Sequence, residues 1–197
     1  MRAGAMTVAD PAGVYGTLVA PGAEPEQVRQ GIFELSRVLA EATRAALPAD
    51  ATALCVIVLR GGQLLYPGFA PSFGHTDFSL LGMERDQEGR ARCRYMTPPS
   101  RPLYDVAVLI DCVAATGGTL LAARQVLAES CKVSRHAAAV LCSSDRATRT
   151  LTGEGIDVLG FRLHEALDGD VVTPDLGELD AGDLFSGVSL FLRNASA

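Results

Sequence analysis

The sequence predicts an α/β fold, a parallel sheet flanked by helices with a protruding β-hairpin arm. Short apolar runs at 53–59, 106–110, 137–141 and 156–163 alternate with segments of helical periodicity. That order is the one expected of strands joined by helical crossovers. The first runs are continuously apolar rather than alternating, as in strands covered on both faces. The length of 197 residues fits one domain, and 48% hydrophobic against 20% charged residues excludes a disordered chain.

Each element has a local reason. Glu24 to Leu47 reads as a helix: Pro25 suits its first turn, Val28, Ile32, Leu35, Leu39 and Ala42 recur at helical spacing, and Pro48 closes it. Ala53–Leu59 is a strand that ends in the turn Arg60-Gly61-Gly62. From Gly68 to Pro99 the chain holds Pro, Gly, Phe and charge, with strand-like pieces at Phe78–Met83 and Arg92–Met96 around the turn Glu84–Gly89. This is the hairpin arm, with Phe69, Phe73 and Phe78 expected to pack it onto the body or a partner subunit. Val106–Ile110 is the next strand, followed by a helix from Thr119 to Glu129 with Leu120, Ala123, Val126 and Leu127 inward. Ala137–Leu141 is a third strand, Asp145 caps a short helix to about Leu151, and Ile156–Leu163 is a fourth strand. Val171 to Phe191 mixes loop residues with a weak final element. Nothing divides the chain, so 1–197 is read as a single domain.

Charge narrows the partners. Against 17 basic residues stand 23 acidic ones, a net charge of −6, and Lys132 is the sole lysine. No basic block is present to hold a nucleic acid or an anionic membrane. A small phosphorylated ligand remains open, because a few placed arginines and backbone amides suffice for one. Five cysteines form no CxxC pair, and His75, His136 and His164 show no zinc spacing, which points to a reduced, cytoplasmic protein with buried thiols. No apolar run reaches the length of a membrane span, and Met1–Asp10, without a signal core, is expected to be partly disordered.

In open α/β sheets ligands bind at the carboxyl ends of strands. There the sequence places Asp111-Cys112-Val113-Ala114-Ala115-Thr116-Gly117-Gly118-Thr119 between a strand and a helix. The glycines allow a tight turn that exposes successive N–H groups, the threonines add hydroxyls, and the helix start adds partial positive charge. Asp111 could hold sugar hydroxyls or a water of a Mg²⁺ shell. The same residues also suit an ordinary βα turn, and Arg60 suits a structural cap on its strand as well as an anion contact. Arg90, Arg92 and Arg94 alternate along the arm, as a solvated face or a phosphate-facing stripe.

The segment Val108–Thr119 resembles the phosphoribosyl pyrophosphate loop of type I phosphoribosyltransferases, and more narrowly the LLDPMLATGGS loop of the uracil phosphoribosyltransferase family. Four further segments are similar in the same order. Glu41–Arg44 matches EATR, Val58–Gly62 matches ILRAG, and Glu84-Arg85-Asp86 with Tyr95 and Pro98 matches the YRDE arm. Thr173–Gly177 with Asp180–Asp183 matches the VPGLGDAGD loop. The resemblance implies a type I phosphoribosyltransferase fold with Mg²⁺ as cofactor, acting on phosphoribosyl pyrophosphate and uracil or a uracil-like heterocycle, in a homodimer or higher homo-oligomer. It implies that Ala115 to Thr119 bind the 5-phosphate and that Asp111 contacts the ribose. Arg60 and Arg85 would meet the pyrophosphate. Val172, Leu179, Asp180 and Ala181 would read the base, with Asp180 also facing the metal through water or substrate.

The chain departs from that pattern mainly on the acceptor side. Glu178-Leu179 lengthen the last loop, Asp175 replaces a Gly, Val171 a Tyr and His164 an Asp; on the donor side Cys112 replaces a Pro. A specialised enzyme for another heterocycle, in nucleoside natural-product biosynthesis, is therefore the companion reading. A non-catalytic nucleotide-binding regulator on the same fold is a third.

Overall fold

A computed structural model describes residues 3–18, 25–86, 88, 90–168 and 171–173. Six parallel strands form the body of a mixed sheet: β1 (Ala5–Thr7), β2 (Ala53–Leu59), β3 (Asp77–Arg85), β5 (Leu103–Ala114), β6 (Lys132–Ser144) and β7 (Ile156–Asp168). The order across the sheet is β1-β7-β6-β5-β2-β3-β4. β4 (Ala91–Met96) runs antiparallel to β3, and β8 (Val171–Thr173) antiparallel to the end of β7.

Residues that alternate along the strands enter two separate cores, which is why the runs are continuously apolar. Cys55, Ile57, Val106, Val108 and Ile110 face one layer, built from α1 (Val14–Leu18), α2 (Pro25–Ala45) and α3 (Tyr66–Phe73). Leu54, Val56, Val58, Ala107 and Leu109 face the other, built from α4 (Gly118–Ala128) and α5 (Asp145–Gly153). On α2, Val28, Ile32, Leu35 and Leu39 are each buried to within 1% of completeness. At about 1.5–3 kcal/mol per buried aliphatic side chain, this stripe rather than helix propensity holds α2 in place.

Three expectations change. The stretch read wholly as hairpin arm begins with a helix, α3, in which Phe69 and Phe73 stack at 5.6 Å and are buried, so they belong to the body. Pro67 at the start of α3 is compatible with helix, and Pro71 inside it hides the pattern. The arm proper is β3–β4, and Phe78 meets Tyr66 edge-to-face at 5.3 Å. The second change is at α5: Ser144, not Asp145, is its cap, with Oγ accepting from Ala147 N at 2.9 Å. Asp145 takes the first turn, where an acid complements the helix dipole. The third is β1, which pairs Ala5–Thr7 with Val158–Gly160 in a segment expected to be partly disordered.

The arm's tip is held by one carboxylate. Asp86 accepts from the backbone N of Glu88 and Arg90 and from Nε of Arg90 (3.1 Å) and Arg92 (2.7 Å). These donors, Arg92 first, hold its carboxyl below the ordinary value of 3.8. The shift is downward, so the contribution to folding is present above that value and fades as pH falls below it. Asp86→Ala is expected to loosen the turn between β3 and β4, read as faster proteolytic nicking there at pH 7 with little change in global melting. Equal nicking rates would show that the tip does not depend on Asp86.

Candidate active site

The sheet reverses its winding between β2 and β5. From β2 the chain proceeds outward to β3, and from β5 it proceeds the other way to β6 and β7. Such a switch point leaves a crevice outside the carboxyl ends of the two central strands. Both predicted donor segments converge there.

The first is the turn after β2. The Leu59–Arg60 peptide is cis, and Gly61–Leu65 follow as a 3-10 turn. The second is the end of β5 and the loop to α4. The two are packed against each other with no room to spare. Cys112 Sγ donates to Gly61 O at 3.2 Å, a Cβ on Gly61 would stand 2.5 Å from Asp111 Oδ1, and one on Gly62 would overlap Ile110 O. Cys112 is a buried thiol, as Cys55 and Cys142 are, and it also ties the two turns together.

Asp111 is half-buried at the crevice, its Oδ1 accepting from Cys112 N at 2.8 Å. Beyond it the chain folds around a hollow of about 50 Å³ lined by Asp111, Ala115, Thr116, Gly117 and Thr119 among others. That is room for one small polar group, not for a heterocycle. Gly117 caps α4 with φ of +80°, the left-handed region that favours glycine, and Gly118 N donates to Thr116 Oγ1 at 3.4 Å. The first N–H groups of α4 have no partner within the helix and carry partial positive charge, so this hollow is built to accept an anion. Val113 and Ala114, also expected at the ligand, are the last two residues of β5 and line the same hollow. Asp111 offers hard carboxylate oxygen, a donor type that fits Mg²⁺ shared with substrate phosphates.

Other expected residues are placed less fully. Arg60 is exposed at the turn after β2. Arg85 closes β3, backbone-paired with Ala91. Val172 lies in β8 opposite Leu167. Leu179, Asp180 and Ala181 lie outside the described residues. Arg90, Arg92 and Arg94 are exposed and engaged by Asp86, Glu88 and Glu84, so they form a solvated face.

Two contacts had no signal in the sequence, because they join segments far apart in it. Ser144 Oγ, the cap of α5, donates to Ala115 O in the phosphate-type loop. His164 Nδ1 lies 2.9 Å from Asp145 Oδ1, and this bond, with Arg149 beside it, holds the Asp145 carboxyl below its ordinary range. The sequence identifies no general base, His164 and His75 being only its weakest candidates; His164 is paired at the carboxyl edge of the sheet. His75 is exposed just beyond α3. No helix among the described residues is long and apolar enough to cross a membrane.

Comparison with known proteins gives this geometry a family. Residues 25–183 match the model of the uracil phosphoribosyltransferase family. A Schizosaccharomyces pombe protein, provisionally named as uracil phosphoribosyltransferase urg2, is 29% identical over 168 residues, covering 84% of this chain and 80% of the relative. The AQ2163 protein of Aquifex aeolicus superposes with a TM-score of 0.80 at 18% identity, over 93% of this chain and 98% of that one. Adenine phosphoribosyltransferase of Trypanosoma brucei, solved with AMP, pyrophosphate and ribose-5-phosphate, gives 0.52 at 18% identity, over 84% and 86%. A crevice built from a cramped arginine turn and an anion-accepting loop, in a chain matched over this span, settles the assignment: the protein belongs to the uracil phosphoribosyltransferase family.

Proposed function

We propose that the protein transfers ribose 5-phosphate from phosphoribosyl pyrophosphate to uracil or a uracil-like nitrogen heterocycle, giving a nucleoside monophosphate and pyrophosphate. The observation that carries this reading is the convergence of Arg60–Gly62 and Asp111–Thr119 at the switch point. One terminus of the donor would occupy the hollow at α4, and its sugar hydroxyls would reach Asp111. The pyrophosphate would lie toward Arg60, whose planar guanidinium suits it. In the reaction the bond from the anomeric carbon to pyrophosphate oxygen breaks, a bond to ring nitrogen forms, and the nitrogen's proton leaves. Positive charge develops on the ribose and negative charge on the departing group. Fixed amides and arginines that match those charges, together with holding the two reactants in line, supply the rate. Mg²⁺ would be held by Asp111 and, through water or substrate, by Asp180, and when bound it would neutralise the phosphate charge.

The departures at His164, Val171 and 178–179 favour a second acceptor reading, a heterocycle other than uracil. Pyrophosphate release measured with phosphoribosyl pyrophosphate and a panel of bases tests both. Turnover of uracil alone removes the specialised reading. Turnover of another base alone removes uracil. No release with any base, with nucleotide binding retained, removes transfer itself and leaves a regulator.

Association through the arm's face belongs to the same proposal. Phe78, Leu80 and Gly82 share one face of β3, Gly82 pairs with Tyr95, and Tyr66 packs on Phe78. Tyr66, Leu80 and Tyr95 are 44%, 39% and 55% exposed there. A second copy of this chain would cover them. Wild type is expected to elute as a dimer or larger in light-scattering chromatography, and Leu80→Glu with Tyr95→Glu as a monomer. A monomeric wild type would remove this part.

A further inference from the structure

We propose that the contact between His164 and Asp145 is a latch that sets the acceptor side of the site against the donor loop, which makes His164 a positioning residue for the acceptor; this rests on the transfer reading above. β7 outruns its neighbour. Its last pairing with β6 is Glu165 opposite Ser144, and beyond it Ala166–Asp168 pair only with Val171–Thr173 of β8 among the described residues. The chain expected to read the base continues from that short ribbon. His164 stands at the ribbon's root.

Two irregularities coincide there. The β6–β7 ladder shifts register between Cys142 and Ser144, and His164 has φ of +66°. A bulge re-aims a strand, and a residue with a Cβ stays in the left-handed region only where its surroundings hold it. What holds this one is Asp145, with Nδ1 to Oδ1 at 2.9 Å. Asp145 is braced by Arg149 at 2.9 Å. The next charges along β7 are engaged with each other, Arg162 with Glu165 at 3.7 Å, and Arg162 lies 5.5 Å over the Tyr15 ring. Ser144, beside Asp145 in sequence, caps α5 and donates to Ala115 O of the phosphate-type loop. A continuous set of bonds therefore runs from the donor loop through Ser144, Asp145 and His164 to the ribbon. His164 and Asp145 lie outside the hollow proposed for the donor, and the link to Ala115 runs through Ser144, so losing their contact should be felt mainly by the acceptor.

Three variants separate the latch from its backbone. His164→Gly accepts the left-handed conformation without strain and deletes the ring. Asp145→Ala removes the other half. His164→Asn tolerates the same conformation and can still donate to Asp145. In hydrogen exchange of the intact chain, amides of 165–168 and 171–173 are expected to exchange several-fold faster in His164→Gly and Asp145→Ala and as in wild type in His164→Asn. With whichever base of the panel is turned over, acceptor KM is expected to rise roughly three- to tenfold in the first two variants, the scale of one lost exposed or half-exposed charged contact. Affinity for phosphoribosyl pyrophosphate, by calorimetry, should stay within about twofold, as expected of a contact remote from the donor. Unchanged exchange in His164→Gly overturns the latch. So does a donor affinity that falls in step with the acceptor's. If wild type binds no phosphoribosyl pyrophosphate, the transfer reading fails, while the exchange comparison still decides whether the latch exists.

Discussion

Gly62→Ala is expected to cost on the order of 3 kcal/mol of stability, the upper end of what overpacking exacts, and to weaken donor binding by more than tenfold. The added methyl would overlap the carbonyl oxygen of Ile110, a backbone atom in the central strand β5 that cannot swing aside as a flexible side chain would. Either β5 shifts or the turn lifts away. The second outcome carries Arg60 with it and opens the contact between Cys112 Sγ and Gly61 O. Urea denaturation and calorimetry with phosphoribosyl pyrophosphate measure the two effects. A midpoint equal to wild type would mean that the turn moves freely and that its packing against β5 does not position Arg60. Gly68→Ala is the natural comparison, because its methyl would collide with Ser36 in α2, on the body and away from the crevice. It should lower stability with a smaller effect on donor affinity.

Asp111→Asn is the second large effect, and it should act on activity with almost none on folding. The amide keeps the shape and an oxygen able to accept from Cys112 N, so the local bond at 2.8 Å survives. What is lost is the charge that, in the proposed reaction, would be offered to ribose hydroxyls and to Mg²⁺. Hydrogen bonds to charged groups contribute about 1.5–3 kcal/mol, which corresponds to roughly ten- to 150-fold in kcat/KM. Steady-state kinetics beside a melting curve checks both halves. Activity within twofold of wild type would remove Asp111 from the donor site.

Much of this site was legible in the sequence, for a physical reason. A loop that must cradle an anion needs glycine where the backbone turns left-handed and hydroxyls beside it, and 111–119 displays both within nine residues. The first three apolar runs were equally plain, because burial on both faces leaves no polar interruption. Their ends were not: β5 and β6 extend to 12 and 13 residues, and their first turns of chain are partly exposed and compositionally mixed. β1 was missed because all three of its residues are exposed, so no burial pattern marks it. α3 was missed because two prolines and a glycine in eight residues read as loop, while its stability comes from Phe69 and Phe73 packing inward. The bonds from Ser144 to Ala115 and from His164 to Asp145 had no signature at all. Each depends on where separate strands stop, and that is a property of the assembled sheet.

The arm's internal pairing has a consequence for kinetics. From 84 to 94 the chain carries four arginines and three acids, a formal balance of +1. Three of those arginines are matched within the arm at 2.5–3.1 Å. Seen from beyond a Debye length of about 10 Å at 0.1 M salt, such an arm is nearly neutral, and the approaching donor responds to the whole chain. That chain has a charge of −6. Attraction of the proposed donor would thus be confined to the last few ångströms, inside the crevice, while the far field repels. The association rate of a polyanionic donor should then increase with ionic strength, the reverse of an electrostatically steered enzyme.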